Sequence, residues 1–198
     1  MILMSTGGWI AIAVVAVIVI AIIALIGWAI GVYNKLVKGR NKVKNQFSQI
    51  DVQLKRRFDL IPNLVETVKG YAKHEEGILT KFAEARTMYQ NAKSADDIEG
   101  MAKADARLTS GFNALGNAVK ESYPELQANA NFQDLMKELK ETEDKIAYQR
   151  QFYNDVVLSY NNMREVFPSS IIAGMFNFKE EKYFESDEES RQNVKVQF

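Results

Sequence analysis

Between Met1 and Asn34 there is no charged side chain, and residues 9–33 read WIAIAVVAVIVIAIIALIGWAIGVY. A helix crossing a hydrocarbon core of ~30 Å needs about 20 apolar residues, because lipid offers nothing to satisfy an open backbone. Residues 10–30 supply that length, with Trp9 and Trp28 near the two interfaces where indole rings settle. The run therefore predicts a transmembrane helix over 9–33 behind a short N-terminal segment, 1–8. It does not read as a cleaved signal: it lacks a basic n-region and a small-residue cleavage site, and its apolar core exceeds the roughly 7–15 residues of a signal peptide.

The polypeptide beyond the span is long enough for one compact domain with its own core. The chain carries 25 basic and 25 acidic side chains, so its net charge gives no attraction for nucleic acid, which is not expected as a partner. The basic residues are unevenly placed. Lys35, Lys38, Arg40, Lys42 and Lys44 crowd the C-terminal side of the span, which by the positive-inside rule predicts an external N-terminus and a cytoplasmic domain. The same cluster attracts anionic lipid headgroups. With no cysteine, disulfides and cysteine metal sites are excluded.

The soluble part has helical periodicity throughout. Val43, Phe47, Ile50, Leu54, Arg57, Ile61, Leu64, Val68 and Tyr71 step by fours and threes, a coiled-coil-like seam apolar except at Arg57. Pro62 lacks the N–H that would reach Phe58, so a break is expected near 58–62. A shorter helix comes next through Ile78, Phe82, Ala85, Tyr89 and Ala92, and the Ser94 to Asp97 sequence S-x-x-D predicts a capped start for its successor. The seam of that third helix runs Ile98, Met101, Asp105, Leu108, Phe112, Leu115, Val119. A last helix carries its seam from Phe132 to Phe167 and stops at Pro168. With short links and without any alternating segment, this pattern predicts an all-α protein: a transmembrane helix followed by an elongated antiparallel four-helix bundle over 34–168.

Residues 169–198 form a C-terminal extension. If successive helices leave and return, Pro168 comes back toward the bilayer, and Ile171, Ile172, Met175, Phe176 and Phe178 become candidates for membrane or partner contact, or for covering the base of the bundle. The charged tail from Lys179, with Tyr183, Phe184, Val194, Val196 and Phe198 spaced through it, is expected to be a weakly ordered extension or an edge that pairs with something. Within the span, Ala24, Gly27 and Gly31 share a face, and G-x-x-x-G lets two such helices approach closely, so the face reads either as a homo-oligomer contact or as a lipid-facing surface with incidental glycines.

Arg57 and Asp105 each occupy a seam position, and a buried charge is costly unless paired. They are expected to meet in a structural polar layer, or Gln149 and Tyr153 to join that layer with them. No catalytic, cofactor or metal site is expected: none of the common catalytic or phosphate-binding motifs occurs, and His74 stands alone in a turn beside Glu75 and Glu76. A hydrolase built around Arg57 and Asp105 would need a deep pocket at that layer.

These residues also carry a likeness. Arg40-Asn41, Gln49 to Arg57, the string D-L-I-P-N-L-V at 59–65, Tyr71 to Glu75, Ala85-Arg86, Phe152-Tyr153-Asn154, Phe167-Pro168-Ser169, Ala173-Gly174 and Tyr183-Phe184 make the chain resemble the LemA family of bacterial membrane proteins. Phe47 and Phe58 depart from it, since tryptophan is frequent at the first position and alanine common at the second. The resemblance implies an anchored helical bundle in the bacterial cytoplasmic membrane, one branch of the family in magnetosome membranes. It implies no assigned chemistry and makes a membrane metalloprotease an expected partner. The chain thus reads as a non-enzymatic, single-pass scaffold or adaptor for membrane protein assemblies. The alternative is a lipid-engaging protein that self-associates laterally.

Overall fold

The computed structural model describes residues 6–71 and 76–185. His74, Val194, Val196 and Phe198 lie outside the described residues. Every regular element among the described residues is helical: α1 (Thr6–Asp59), α2 (Ile61–Lys69), α3 (Glu76–Ser94), α4 (Ile98–Ser122), α5 (Pro124–Ala128), α6 (Ala130–Glu165) and α7 (Ser169–Met175). The all-α expectation holds. The first helix is also the one long and apolar enough among the described residues to cross a membrane, and none of the described residues buries its apolar window.

The breaks obey the sequence chemistry. Helix α1 ends at Asp59 and α2 restarts at once with Pro62 in its first turn, where a missing N–H would have no intrahelical partner anyway. The S-x-x-D at 94–97 is not a capping box. Ser94 is still helical and donates to the Gln90 carbonyl (2.9 Å), while Asp96 takes a left-handed conformation (φ 52°). The Asp97 N–H then reaches back to the Ala92 carbonyl (2.8 Å) and that of Asp96 to Lys93 (3.2 Å). This pattern closes the C-terminus of α3, and Asp97 opens α4.

The chain divides into two compact units. The larger takes Val43–Leu158 with the described part of Lys182–Phe198. Its core is the set of seams: Ile50, Leu54, Leu64, Val68, Phe82, Leu108, Leu115, Leu139 and Ile146 are all buried. Phe58 stacks flat on Tyr89 (4.2 Å between centroids, 4° between planes), so the bulky residue that departs from the family pattern has a built-in partner. Phe47 packs on Tyr153 (5.7 Å). Within this unit α1 pairs Phe58 with Tyr89 but Asp51 with Lys93, and so runs antiparallel to α3. Pairing Phe47 with Tyr153 but Arg56 with Glu138 sets it antiparallel to α6 as well.

Helices α3 and α4 approach closely at Gly111. A Cβ there would stand 2.7 Å from Cε1 of the fully buried Phe82, whereas one at Gly116 would meet nothing within 4 Å. Overpacking typically costs about 1–3 kcal/mol, and replacing a helical glycine by alanine gains about 1 kcal/mol. Denaturant midpoints should therefore fall for Gly111→Ala and rise for Gly116→Ala.

The smaller unit takes the described part of Met1–Lys42 with Ser159–Glu181. Leu36, Tyr160, Ile172, Ala173 and Phe178 form its buried core. Gly39 allows the Tyr160 ring to lie against α1, where an added Cβ would meet Cδ2 at 3.1 Å. The last seam residue, Phe167, is exposed: α6 stops at Glu165, and the cis Phe167–Pro168 bond leads into α7.

Candidate functional site

Two sets of residues stand out, one a polar layer and one on the C-terminal extension. In the larger unit Arg57 is fully buried and ion-pairs with Asp105, as the seams predict. Its Nη2 donates to Thr109 Oγ1 (3.0 Å) and lies 3.4 Å from Glu143, and its guanidinium sits over the Phe112 ring (5.4 Å). Burial pushes the Asp105 carboxyl above its ordinary range, against the pull of Arg57. Thr109 and Glu143 are thus the companions of the pair. Both lie one turn from expected seam positions, Asp105 and Leu139, a spacing that could have nominated them. Tyr153 is buried, but its hydroxyl donates to the Lys182 carbonyl (2.8 Å); Gln149 Oε1 is buried without a hydrogen-bond partner.

A groove of about 510 Å³ opens beside this layer, lined by Asp105, Ser110, Asn113, Glu143, Arg150 and Phe184 among others. Both of its carboxylates face Arg57. Among the described residues, no group of three or more metal-binding side chains converges.

The tail provides the second set. The sequence holds Tyr-Asn twice on α6, at 153–154 and 160–161, one heptad apart. In the smaller unit the Tyr160 hydroxyl donates to the Lys179 carbonyl (3.0 Å). Asn161 donates to the Glu181 carbonyl (2.9 Å) and accepts from its N–H (3.0 Å). In the larger unit Tyr153 holds Lys182, and Asn154 grips Phe184 through both its carbonyl (3.4 Å) and its N–H (2.9 Å). Each asparagine amide imitates a neighbouring strand, satisfying a peptide that has no ladder of its own. Residues 179–185 are consequently fastened as a pairing edge and not as a weakly ordered one, and Phe184 is buried. The repeated Tyr-Asn was the available signal. Hydrogen exchange should show the consequence residue by residue: Asn161→Ala speeds exchange at the Glu181 amide, and Asn154→Ala at the Phe184 amide, each weakening its contact by about 1–3 kcal/mol.

The candidate membrane or partner contacts split into two groups. Ile172 and Phe178 turn inward and are buried, whereas Ile171, Met175 and Phe176 are exposed. The inward turn at Phe178 has a local cause. Asn177 is left-handed (φ 53°), the Phe178 N–H reaches the Ala173 carbonyl (2.9 Å) and that of Asn177 the Gly174 carbonyl (3.2 Å). This closing motif folds the chain back under α7. Phe176 and Phe178 then meet Tyr33 edge-on at 4.8 and 5.6 Å, and Arg40 lies over the Phe178 ring at 5.3 Å. On the span, Ala24, Gly27 and Gly31 are exposed, and a Cβ at either glycine would meet nothing.

Comparison with known proteins agrees with this anatomy. The chain is 30% identical over 196 residues to magnetosome protein MamQ 2 of Paramagnetospirillum magneticum, an overlap of 87% of this chain and 72% of the relative. It is 27% identical to MamQ of Magnetospirillum gryphiswaldense (85% and 70% covered). Against the LemA protein of Metamycoplasma hominis it is 24% identical (83% and 74% covered). The family profile described as the LemA family matches residues 46–198, from the last quarter of α1 onward, and the chain belongs to that family.

Proposed function

We propose that this protein is a non-enzymatic scaffold, fixed in a bacterial cytoplasmic membrane by α1 with its helical domain in the cytoplasm, that presents the outer face of α6 to a second membrane protein. The observation that carries this reading is an exposed aromatic pair. Tyr148 and Phe152 lie one turn apart on α6 with ring centroids 4.7 Å apart, both open to solvent. Adjacent exposed aromatics mark contact surfaces more often than they mark chemistry. The ionic groups support it too, since the buried Arg57 engages Asp105, Thr109 and Glu143 together. The basic cluster after the span supports the cytoplasmic orientation.

Crosslinking and mass spectrometry of the intact chain in its native membrane test this. Links from the α6 face to another integral membrane protein are expected, abolished by Tyr148→Lys with Phe152→Glu. Links between copies alone would replace the adaptor by a lateral self-assembler.

A further inference from the structure

The polypeptide from Val166 to Phe178 contains no charged side chain, although Arg164, Glu165 and Lys179 flank it directly. Its inward residues are accounted for by the core. Its outward ones are not: Val166 is 59% exposed, Phe167 76%, Ile171 50%, Met175 73% and Phe176 56%. Five large apolar side chains on one short stretch form a patch that water does not favour. Its position identifies what covers it. Phe176 touches Tyr33, three residues beyond the last residue of the expected apolar core at Ile30, so the patch continues the lipid-exposed surface of α1 at the level where the span leaves the bilayer. Lys35 and Lys38, both exposed on the next turn of α1, supply the positive charge that an anionic headgroup layer attracts.

We propose that α7 and the turn before it lie in the boundary between headgroups and acyl chains, a second membrane contact in which Phe167, Ile171, Met175 and Phe176 enter lipid. Penetration of such elements is roughly 5–10 Å. The contact makes the domain's base a two-point attachment, with one helix through the bilayer and one along its surface. This rests on the membrane-anchored reading above.

Because the chain has no cysteine, single engineered thiols report cleanly. The full chain is reconstituted into vesicles of phosphatidylcholine and phosphatidylglycerol with no other protein. An environment-sensitive fluorophore is placed at Met175→Cys, at Phe167→Cys, at Ile20→Cys in the span and at the exposed Asn117→Cys on α4. Labels at 175 and 167 are expected to be quenched by nitroxide lipids and shielded from aqueous iodide several-fold relative to 117. Iodide access at 175 and 167 equal to that at 117, with 20 quenched by lipid, overturns the inference and leaves the anchor standing. Loss of lipid quenching at 20 as well overturns the anchor itself. Labels open to iodide in pure lipid but shielded in native membranes assign the patch to a protein partner and also overturn the inference.

Discussion

Arg57→Ala is expected to destabilise the helical domain by about 3–5 kcal/mol, because it leaves the Asp105 carboxylate inside the bundle without its counter-charge. Much of a typical domain's 5–15 kcal/mol would be lost, visible as a lower denaturant midpoint for the full chain in detergent. Replacing both partners, Arg57→Met with Asp105→Leu, should recover most of it, since an apolar pair of similar volume removes the unpaired charge. The pH dependence has a definite sign. Burial already raises the Asp105 carboxyl, and loss of Arg57 raises it further above its unfolded value of about 3.9. The deficit is therefore complete above the folded-state pKa and narrows as pH falls toward the unfolded one. Glu143 and Arg150 also face this carboxyl, so Arg57→Ala with Asp105→Asn is the reference: it should lack the narrowing. An Arg57→Ala protein as stable as the parent would show that the buried pair contributes nothing.

Ending the chain after Pro168 is expected to have the largest effect. It removes Ile172, Phe178 and Phe184, all buried, each worth about 1.5–3 kcal/mol. It also strips Tyr160 and Asn161 of the carbonyls they donate to. Hydrogen exchange of the full and shortened chains in detergent should show residues 153–161 of α6, which lose the tail carbonyls they hold, losing protection. Unchanged protection over 153–161 would mean that the fastened tail adds nothing to the helix it grips.

The helices were legible because burial here obeys a period. Ile50, Leu54, Leu64, Leu108 and Leu115 are each inside, and the two charges that break the seams find one another. Proline chemistry placed the break at Asp59–Ile61 in the same way. What periodicity cannot carry is a side chain's choice among partners. Thr109 and Glu143, off the counted seams, complete the polar layer, whereas the seam residue Tyr153 gives its hydroxyl to the tail. Two left-handed residues also escaped the pattern. Asp96 and Asn177 each close a helix and redirect the chain, and neither has a hydrophobic signature. The second decides which residues of 169–178 face the core, which is why Ile172 and Phe178 part company with Ile171, Met175 and Phe176.

One closure decides the architecture at the end of the apolar run: the chain returns to Tyr33 with Phe176. A short bifunctional thiol crosslinker applied to Tyr33→Cys with Phe176→Cys in native membranes measures it, since the chain has no other thiol. An intramolecular link is expected in nearly every molecule, seen as a monomer whose two tryptic segments stay joined. Thiols that both react with a monofunctional reagent yet never become linked within one chain would contradict the closure.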